Sequence, residues 1–259
     1  MLRGFYTAGS GMLSQEKRLQ AVSNNLANVS TAGFKREDVL FGTFGEHIAV
    51  RMNAYNMGPL NQIGGGVFMQ TTESRFTDFE QGGPDVTDRA FDMAIIGDGF
   101  FVIDTPEGPR LTRDGQFALD EEGYLVLPGF GRVQGEGGDI NLEGRSDFIV
   151  SENGNIMLPD DEGQFEVLTQ LSIALVEDTA ALDREPSKLW YAPDGFETIG
   201  EAPANTMILQ RHVERSNVNV TQEMTRMIAA QRSLQSAAQL VRMFDEMSQQ
   251  GATRISSVN

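Results

Sequence analysis

The two ends of this chain constrain its fold most. From Val218 to about Gly251, Val220, Met224, Met227, Gln231, Leu234, Ala238 and Val241 recur at alternating steps of four and three. That spacing lines one face of an α-helix. Ala237, Leu240, Phe244 and Met247 widen the stripe, and no Pro or Gly interrupts it between Ser216 and Gly251. Thr221 and Asn219 are candidate N-caps, the latter with Gln222 as a box partner, and Gly251 is a candidate stop. Some 30 residues at 1.5 Å each make roughly 45 Å of helix, long for an element packed inside one small domain. At the other end, over Met1 to Val29, Phe5, Ala8, Met12, Gln15, Leu19, Val22, Leu26 and Val29 repeat the alternation. Gly4, Gly9 and Gly11 weaken the first turns by about 1 kcal/mol each relative to Ala. The firm expectation there is a helix from Met12 to Asn28, ended by Ser30, Thr31 and Gly33. Two such seams either pack on each other and on copies of themselves, or each covers a sheet domain; spacing alone does not decide.

Charge separates the ends from the middle. Residues 1–36 carry five Lys/Arg against one Glu, and residues 211–259 carry six Arg against four acids. Residues 37–210 hold nine basic and 32 acidic residues, within a chain of formal charge −17. Such an acidic chain lacks the basic footprint that nucleic-acid binding needs. The acidic middle reads first as a solvated surface. No run of 18 apolar residues predicts a membrane helix. Small residues near the start (Gly4, Thr7, Gly9, Ser10, Gly11) break any apolar core of a cleavable signal. Cysteine is absent, which excludes disulfides and thiolate metal sites and suits a chain that passes unfolded through an export channel.

Between Phe34 and Phe79 the sequence reads as a transition. Glu37 to Phe41 suits a short helix or strand, and part of Val67 to Phe79 an extended segment. Met57-Gly58-Pro59 and Gly64-Gly65-Gly66 read as breakers, the triple glycine as a loop or bend. From Phe91 to about Leu209, short apolar runs alternate with turn signals: Asp98-Gly99, Asp114-Gly115, Asp120 to Gly123, Asn153-Gly154 and Asp161 to Gly163. Asp-Gly and Asn-Gly between apolar runs signal hairpins, and a β domain of roughly eight to ten strands is expected.

No catalytic constellation stands out. The acid-glycine pairs do not fit the calcium loop pattern. His47 and His212, the only histidines, lack metal-type neighbours. Gly97-Asp98-Gly99-Phe100 lacks the third glycine of a dinucleotide fingerprint. There is no G-x-S-x-G and no cysteine nucleophile. Paired carboxylates for glycoside hydrolysis depend on a spatial separation that sequence does not supply. No cofactor and no small-molecule substrate are expected, and the helix methionines read as adaptable packing.

Three stretches carry a resemblance. Residues 23–35 read SNNLANVSTAGFK. Residues 94–103 read AIIGDGFFVI, with TRDGQF at 112–117 and EGYLV at 122–126. Residues 214–232 read ERSNVNVTQEMTRMIAAQR. In words, order and terminal placement the chain resembles the flagellar basal-body rod and hook family of bacterial axial proteins. Asn24, Asn25, Leu26, Asn28, Gly33, Phe34, Lys35, Asn217 and Asn219 fall on the family's motifs. Val218-Asn219-Val220 followed by Thr-Gln-Glu-Met is closer to distal rod members. The short central domain and Glu214-Arg215-Ser216 leave the proximal paralogue open.

The resemblance implies an α+β protein. Its N- and C-terminal helices pair in a coiled-coil-like core domain, with a central, mainly antiparallel β domain outside. The expected division is 1–36 and 211–259 as the discontinuous core, 37–90 as an extended connection and 91–210 as the β domain. The implied function is a structural, non-enzymatic subunit of the flagellar rod that stacks helically and transmits torque from motor to hook. Its implied partners are its own copies, other rod and hook proteins and the export apparatus, through which it leaves without a cleaved signal. The expected assembly interface is Phe5, Met12, Leu19, Val22, Leu26, Val29, Val220, Met224, Met227, Leu234, Val241 and Phe244. Burying that apolar surface on assembly is worth about 25 cal/mol per Å², and a head-to-tail contact that does not close yields a filament. The competing reading is an extracellular β-domain binding module anchored by its terminal helices; a carbohydrate-active enzyme ranks third. Removing residues 1–35 and 215–259 is expected to leave a folded, monomeric β domain in a rod subunit.

Overall fold

The computed structural model describes residues 2–43, 46–51, 61–67, 70–160, 164–176, 178–184, 188–193, 195–199 and 205–256. These form two compact units, each built from discontinuous chain. The architecture is α+β, with helices at both ends and antiparallel sheets between.

The first unit holds Met1–Ala27, Glu37–Thr77 and Asn219–Asn259. Helix α1 spans Leu2–Ala27 and helix α2 spans Val220–Ser256. The glycines near the start do not delay α1. Gly4 lies under the Phe244 ring, where a Cβ would come 2.6 Å from Cζ, so the missing side chain admits that ring. Asn219 caps α2: its Oδ1 accepts from Gln222 N–H at 3.2 Å and its carbonyl from Glu223 N–H at 2.9 Å. Glu223 sits in the first turn, where the helix dipole favours a carboxylate. Gly251 does not stop α2, which runs a further turn to Ser256; a single glycine weakens a helix without ending it.

Two hairpin-like ladders complete this unit. Glu37–Thr43 pairs with Gln70–Thr77, with a bulge between Leu40 and Phe41. Glu46–Arg51 pairs with Asn61–Val67. The triple glycine expected to form a loop is therefore inside a strand, with Gly64, Gly65 and Gly66 opposite Ala49, Ile48 and His47. Ladder pairing overrides the low strand preference of glycine. Met57-Gly58-Pro59 lies outside the described residues.

The second unit holds Asn28–Arg36 and Asp78–Val218. Its largest sheet is centred on Phe100–Thr105, flanked by Gly108–Thr112 on one side and by Gly131–Gly135 and Ile173–Leu175 on the other. Ile149–Val150, Asn155–Pro159 and Phe165–Gln170 form a three-stranded sheet. Met93–Ile96 pairs with Met207–Gln210, and Pro84–Val86 with His212–Glu214. The core gathers Met93, Ile95, Phe101, Ile103, Phe117, Leu125, Ile140, Ile156 and Ile173; a second cluster surrounds Trp190.

Two of the expected hairpin turns join paired strands among the described residues. Asp120 closes one: its carboxylate accepts from the N–H groups of Glu122 and Tyr124. Asn153-Gly154 closes another, and Asn155–Pro159 pairs with Phe165–Gln170 around residues 161–163, themselves outside the described set. Asp98-Gly99 and Asp114-Gly115 are corrections. The strand before Asp98 pairs with Met207–Gln210, and the strand after it with other neighbours. Gly115 marks a close chain crossing, since a Cβ there would lie 1.7 Å from the Met93 carbonyl oxygen. Asp98-Gly99 redirects the chain from one sheet to another, whereas Asp114-Gly115 joins two strands that share a sheet without being neighbours in it. Between Met93 and Gln210 fifteen strands are described, more than expected because several are only two residues long.

Candidate assembly interface

The two helices pair antiparallel. Gly4 meets Phe244 near one end, and Asn25 meets Glu223 near the other. At about 1.5 Å per residue α2 is some 15 Å longer than α1, so its last turns overhang the start of its partner. The residues most deeply buried on α1 are small or polar: Ser10, Ser14, Val22 and Asn25. On α2 they are Glu223 and Ala230. Ser10 and Ser14 donate their hydroxyls to the Thr7 and Ser10 carbonyls within the helix, so burial leaves neither unsatisfied. Asn25 donates to the Glu37 carbonyl at 2.7 Å and accepts from the Glu37 N–H at 2.9 Å, tying the end of α1 to the first strand. Arg226 bridges Glu223 and Asp38.

The expected seam residues divide accordingly. Val22 is buried; Leu19, Leu26, Met227, Leu234, Val241 and Phe244 are half-buried; Phe5, Met12, Val220 and Met224 are exposed. Val29 is half-buried but belongs to the second unit. The deepest burial thus falls on Val22 and on small or polar residues, with some large apolar residues half-buried and others outside. Tyr6 and Leu13 on α1, and Ile228, Leu240, Met243 and Met247 on α2, are also exposed. Of these, only Leu240 and Met247 were legible as an extension of the stripe; Tyr6, Leu13, Ile228 and Met243 fall off the three-four register. Leu240, Met243, Phe244, Glu246, Met247 and Gln250 line a shallow depression of about 250 Å³ on α2.

The motif residues have a separate role. Asn25 and Asn219 act in the helix unit as described, where Asn24 is exposed and Leu26 half-buried. In the second unit, Gly33, Phe34, Lys35 and Asn217 build a buried polar junction. Gly33 adopts φ +65°, and a Cβ there would lie 2.4 Å from the backbone of Arg113 and Asp114; its N–H donates to the Glu214 carbonyl. Phe34 is buried under the Arg184 guanidinium. Asn28 accepts from the Thr31 hydroxyl as the chain leaves α1. Lys35 Nζ donates to Glu214 Oε1 at 2.6 Å, to the Glu80 carbonyl at 3.0 Å and to the Phe79 carbonyl at 3.4 Å, which satisfies the ammonium fully. Glu214 also accepts from Gly82 N–H at 3.1 Å and faces Arg113 Nη1 at 3.5 Å. Asn217 accepts from Arg36 N–H and donates to the Asp78 and Glu80 carbonyls.

Electrostatics follow from this burial. Desolvation pushes the Lys35 ammonium below its ordinary pKa, against the pull of Glu214, with Arg113 adding to the depression. Desolvation likewise lowers Arg113, opposed by Glu214. For Asp78, burial acts upward, but the Glu80 N–H and Arg36 outweigh it and hold the carboxyl below its usual value. Lys35, Glu214 and Asn217 each commit their polar atoms to bonds within the chain. Among the described residues, no group of three or more His, Cys, Asp or Glu is placed to hold a metal ion, and no helix is long and apolar enough to cross a membrane.

Comparison with known proteins matches three family models in chain order. Residues 5–35 match the flagella basal body rod protein model, residues 94–170 the flagellar hook protein FlgE/F/G D1 domain, and residues 209–255 the flagellar basal body rod FlgEFG protein C-terminal model. The flagellar basal-body rod protein FlgG of Bacillus subtilis is 32% identical over 96% of this chain and 98% of its own length. The FlgG proteins of Caulobacter vibrioides and Borreliella burgdorferi are each 31% identical, over 96% and 95% of this chain and 97% and 96% of their own lengths.

Proposed function

Since this chain belongs to the family of flagellar basal-body rod proteins, and so is a structural subunit of that rod, we propose that copies of it stack helically through the faces of α1 and α2 left uncovered by their own pairing. In place of the division expected from sequence, residues 1–27, 37–77 and 219–259 act as the assembling unit, and 28–36 with 78–218 as the β domain. Phe5, Met12, Val220 and Met224 face neighbouring subunits. Leu19, Val22, Leu26, Met227, Leu234, Val241 and Phe244 hold the pair, and Val29 sets the chain's exit from α1. The stack carries torque from motor to hook without catalysis, and the chain reaches it through the flagellar export apparatus without a cleaved signal. It abuts other rod and hook proteins at the ends of its own segment.

One observation supports this above the others. The most deeply buried helix positions are Ser10, Ser14, Val22, Asn25, Glu223 and Ala230, whereas Ile228, Leu240, Met243 and Met247 point outward along one long helix. Apolar surface of that extent on a water-exposed helix is stabilised only when something covers it. The test is the double substitution Ile228→Asp and Leu240→Asp. Both residues are exposed, so helix pairing is spared, whereas substitution at half-buried Leu234 or Val241 disturbs pairing and assembly together. The expected outcome is loss of incorporation into the basal body, with unchanged helix content by circular dichroism and unchanged Trp190 fluorescence in the purified chain. Normal motility of a strain carrying only the double mutant refutes the assignment.

A further inference from the structure

Five of the twelve methionines lie on the helices: Met12, Met224, Met227, Met243 and Met247. Four of them are exposed, at 36%, 50%, 49% and 47% for Met12, Met224, Met243 and Met247. Met243 and Met247 are one turn apart and line the α2 depression beside Leu240 and Phe244. Met93 in the β core is fully buried. The chain has no cysteine, so methionine is its only oxidisable sulfur.

We propose that the exposed helix methionines, Met243 and Met247 together on α2 and Met224 and Met12 at separate positions, make the free subunit oxidation-sensitive, so that peroxide-class oxidants switch off its assembly. The inference rests on the assembly role given above. In the reaction the thioether sulfur attacks a peroxide oxygen. The O–O bond breaks, an S=O bond forms and water leaves; sulfur is oxidised and the peroxide reduced. The product replaces a flexible apolar side chain with a polar one. A sulfoxide oxygen brought into a helix–helix contact loses its water without gaining a donor, and that cost opposes association. Thioether contacts suit an adaptable interface for the same reason that oxidation disrupts them. Solvent access sets the order of attack, so the helix methionines react while Met93 is protected by its core.

The experiment treats the purified full chain with hydrogen peroxide, maps sulfoxide at each methionine by mass spectrometry and measures polymer by sedimentation. Conversion at Met243, Met247, Met224 and Met12 ahead of Met93, with at least a tenfold loss of polymer, is the expected result. Treatment with both epimer-specific methionine sulfoxide reductases and a dithiol reductant restores the polymer. In a variant with all four residues changed to Leu, peroxide alters the yield less than twofold relative to the same variant untreated. Equal oxidation of Met93, unimpaired polymerisation of the oxidised chain, or equal peroxide sensitivity of the Leu variant each overturns the proposal. Absence of polymer from the untreated chain overturns the assembly role itself, and the proposal with it.

Discussion

Glu214→Gln is the most informative single substitution in the β unit. The carboxylate is 1% exposed and lies 2.6 Å from Lys35 Nζ and 3.5 Å from Arg113 Nη1. With an effective dielectric constant near 20, those separations correspond to about 6 and about 5 kcal/mol of attraction. Desolvation of the three charges offsets most of that in the intact site. Glutamine keeps the shape but removes the charge, so both cations stay buried without compensation. Breaking a buried pair in this way costs about 3–5 kcal/mol, a large share of a domain's 5–15 kcal/mol or so. For a unit of this size the melting temperature falls by roughly 10 °C. The readout is built in: Trp190, the only tryptophan, is buried between Phe79 and Phe100 in the same unit, so its fluorescence reports unfolding of that unit alone. The pH dependence has a definite sign. The folded pKa of Lys35 lies below its unfolded value and falls further without Glu214, so between the two values the unfolded state binds more protons and stability rises with pH. The deficit of Glu214→Gln therefore shrinks as pH rises toward the ordinary lysine range. Adding Lys35→Met to Glu214→Gln recovers part of the loss, because it removes one of the stranded cations. A melting shift below about 2 °C, or strict additivity of the two substitutions, refutes the buried-pair argument.

Gly115→Ala places a Cβ against the Met93 carbonyl and is expected to cost more than about 4 kcal/mol, read as loss of native Trp190 emission. Asp78, held below its usual pKa, contributes stability that is present above the ordinary carboxylate pKa and is lost as pH falls through its folded value; Asp78→Asn flattens that acid limb in fluorescence-monitored unfolding. A fragment of residues 28–218 is expected to fold as a monomer with buried Trp190. One of residues 36–214, the fragment the sequence alone marked as a folded domain, is now expected to unfold, since it lacks Gly33, Phe34, Lys35 and Asn217; light scattering and fluorescence distinguish the two.

The helices were legible because periodicity and an uninterrupted run survive any tertiary context. What the helices do with their faces was not. A three-four register ranks large apolar residues and passes over Ser10, Ser14 and Ala230, yet these are among the most deeply buried helix positions. Asn25 and Lys35 were legible only as members of a motif. Their roles depend on Glu37, Glu223 and Glu214, of which two lie far away in sequence. Asp-Gly turns misled for a related reason. The dipeptide specifies a local reversal or redirection, and strand pairing chooses between the two only once Met207–Gln210 has returned to cover Met93–Ile96.

Gly33 N–H meets the Glu214 carbonyl, Lys35 meets the Glu214 carboxylate and Arg36 N–H meets Asn217. The stretch that follows α1 and the stretch that precedes α2 are therefore laced together at the neck of the β unit. Along the covalent chain, residues 36 and 214 are separated by nearly the whole unit; across the lacing they are separated by a few hydrogen bonds and one ion pair. A pull applied at residue 36 reaches residue 214 across this lacing without traversing the core around Met93 and Phe101. Mechanically, residues 36 to 214 form a closed loop, pinned at its base by Gly33, Lys35 and Asn217.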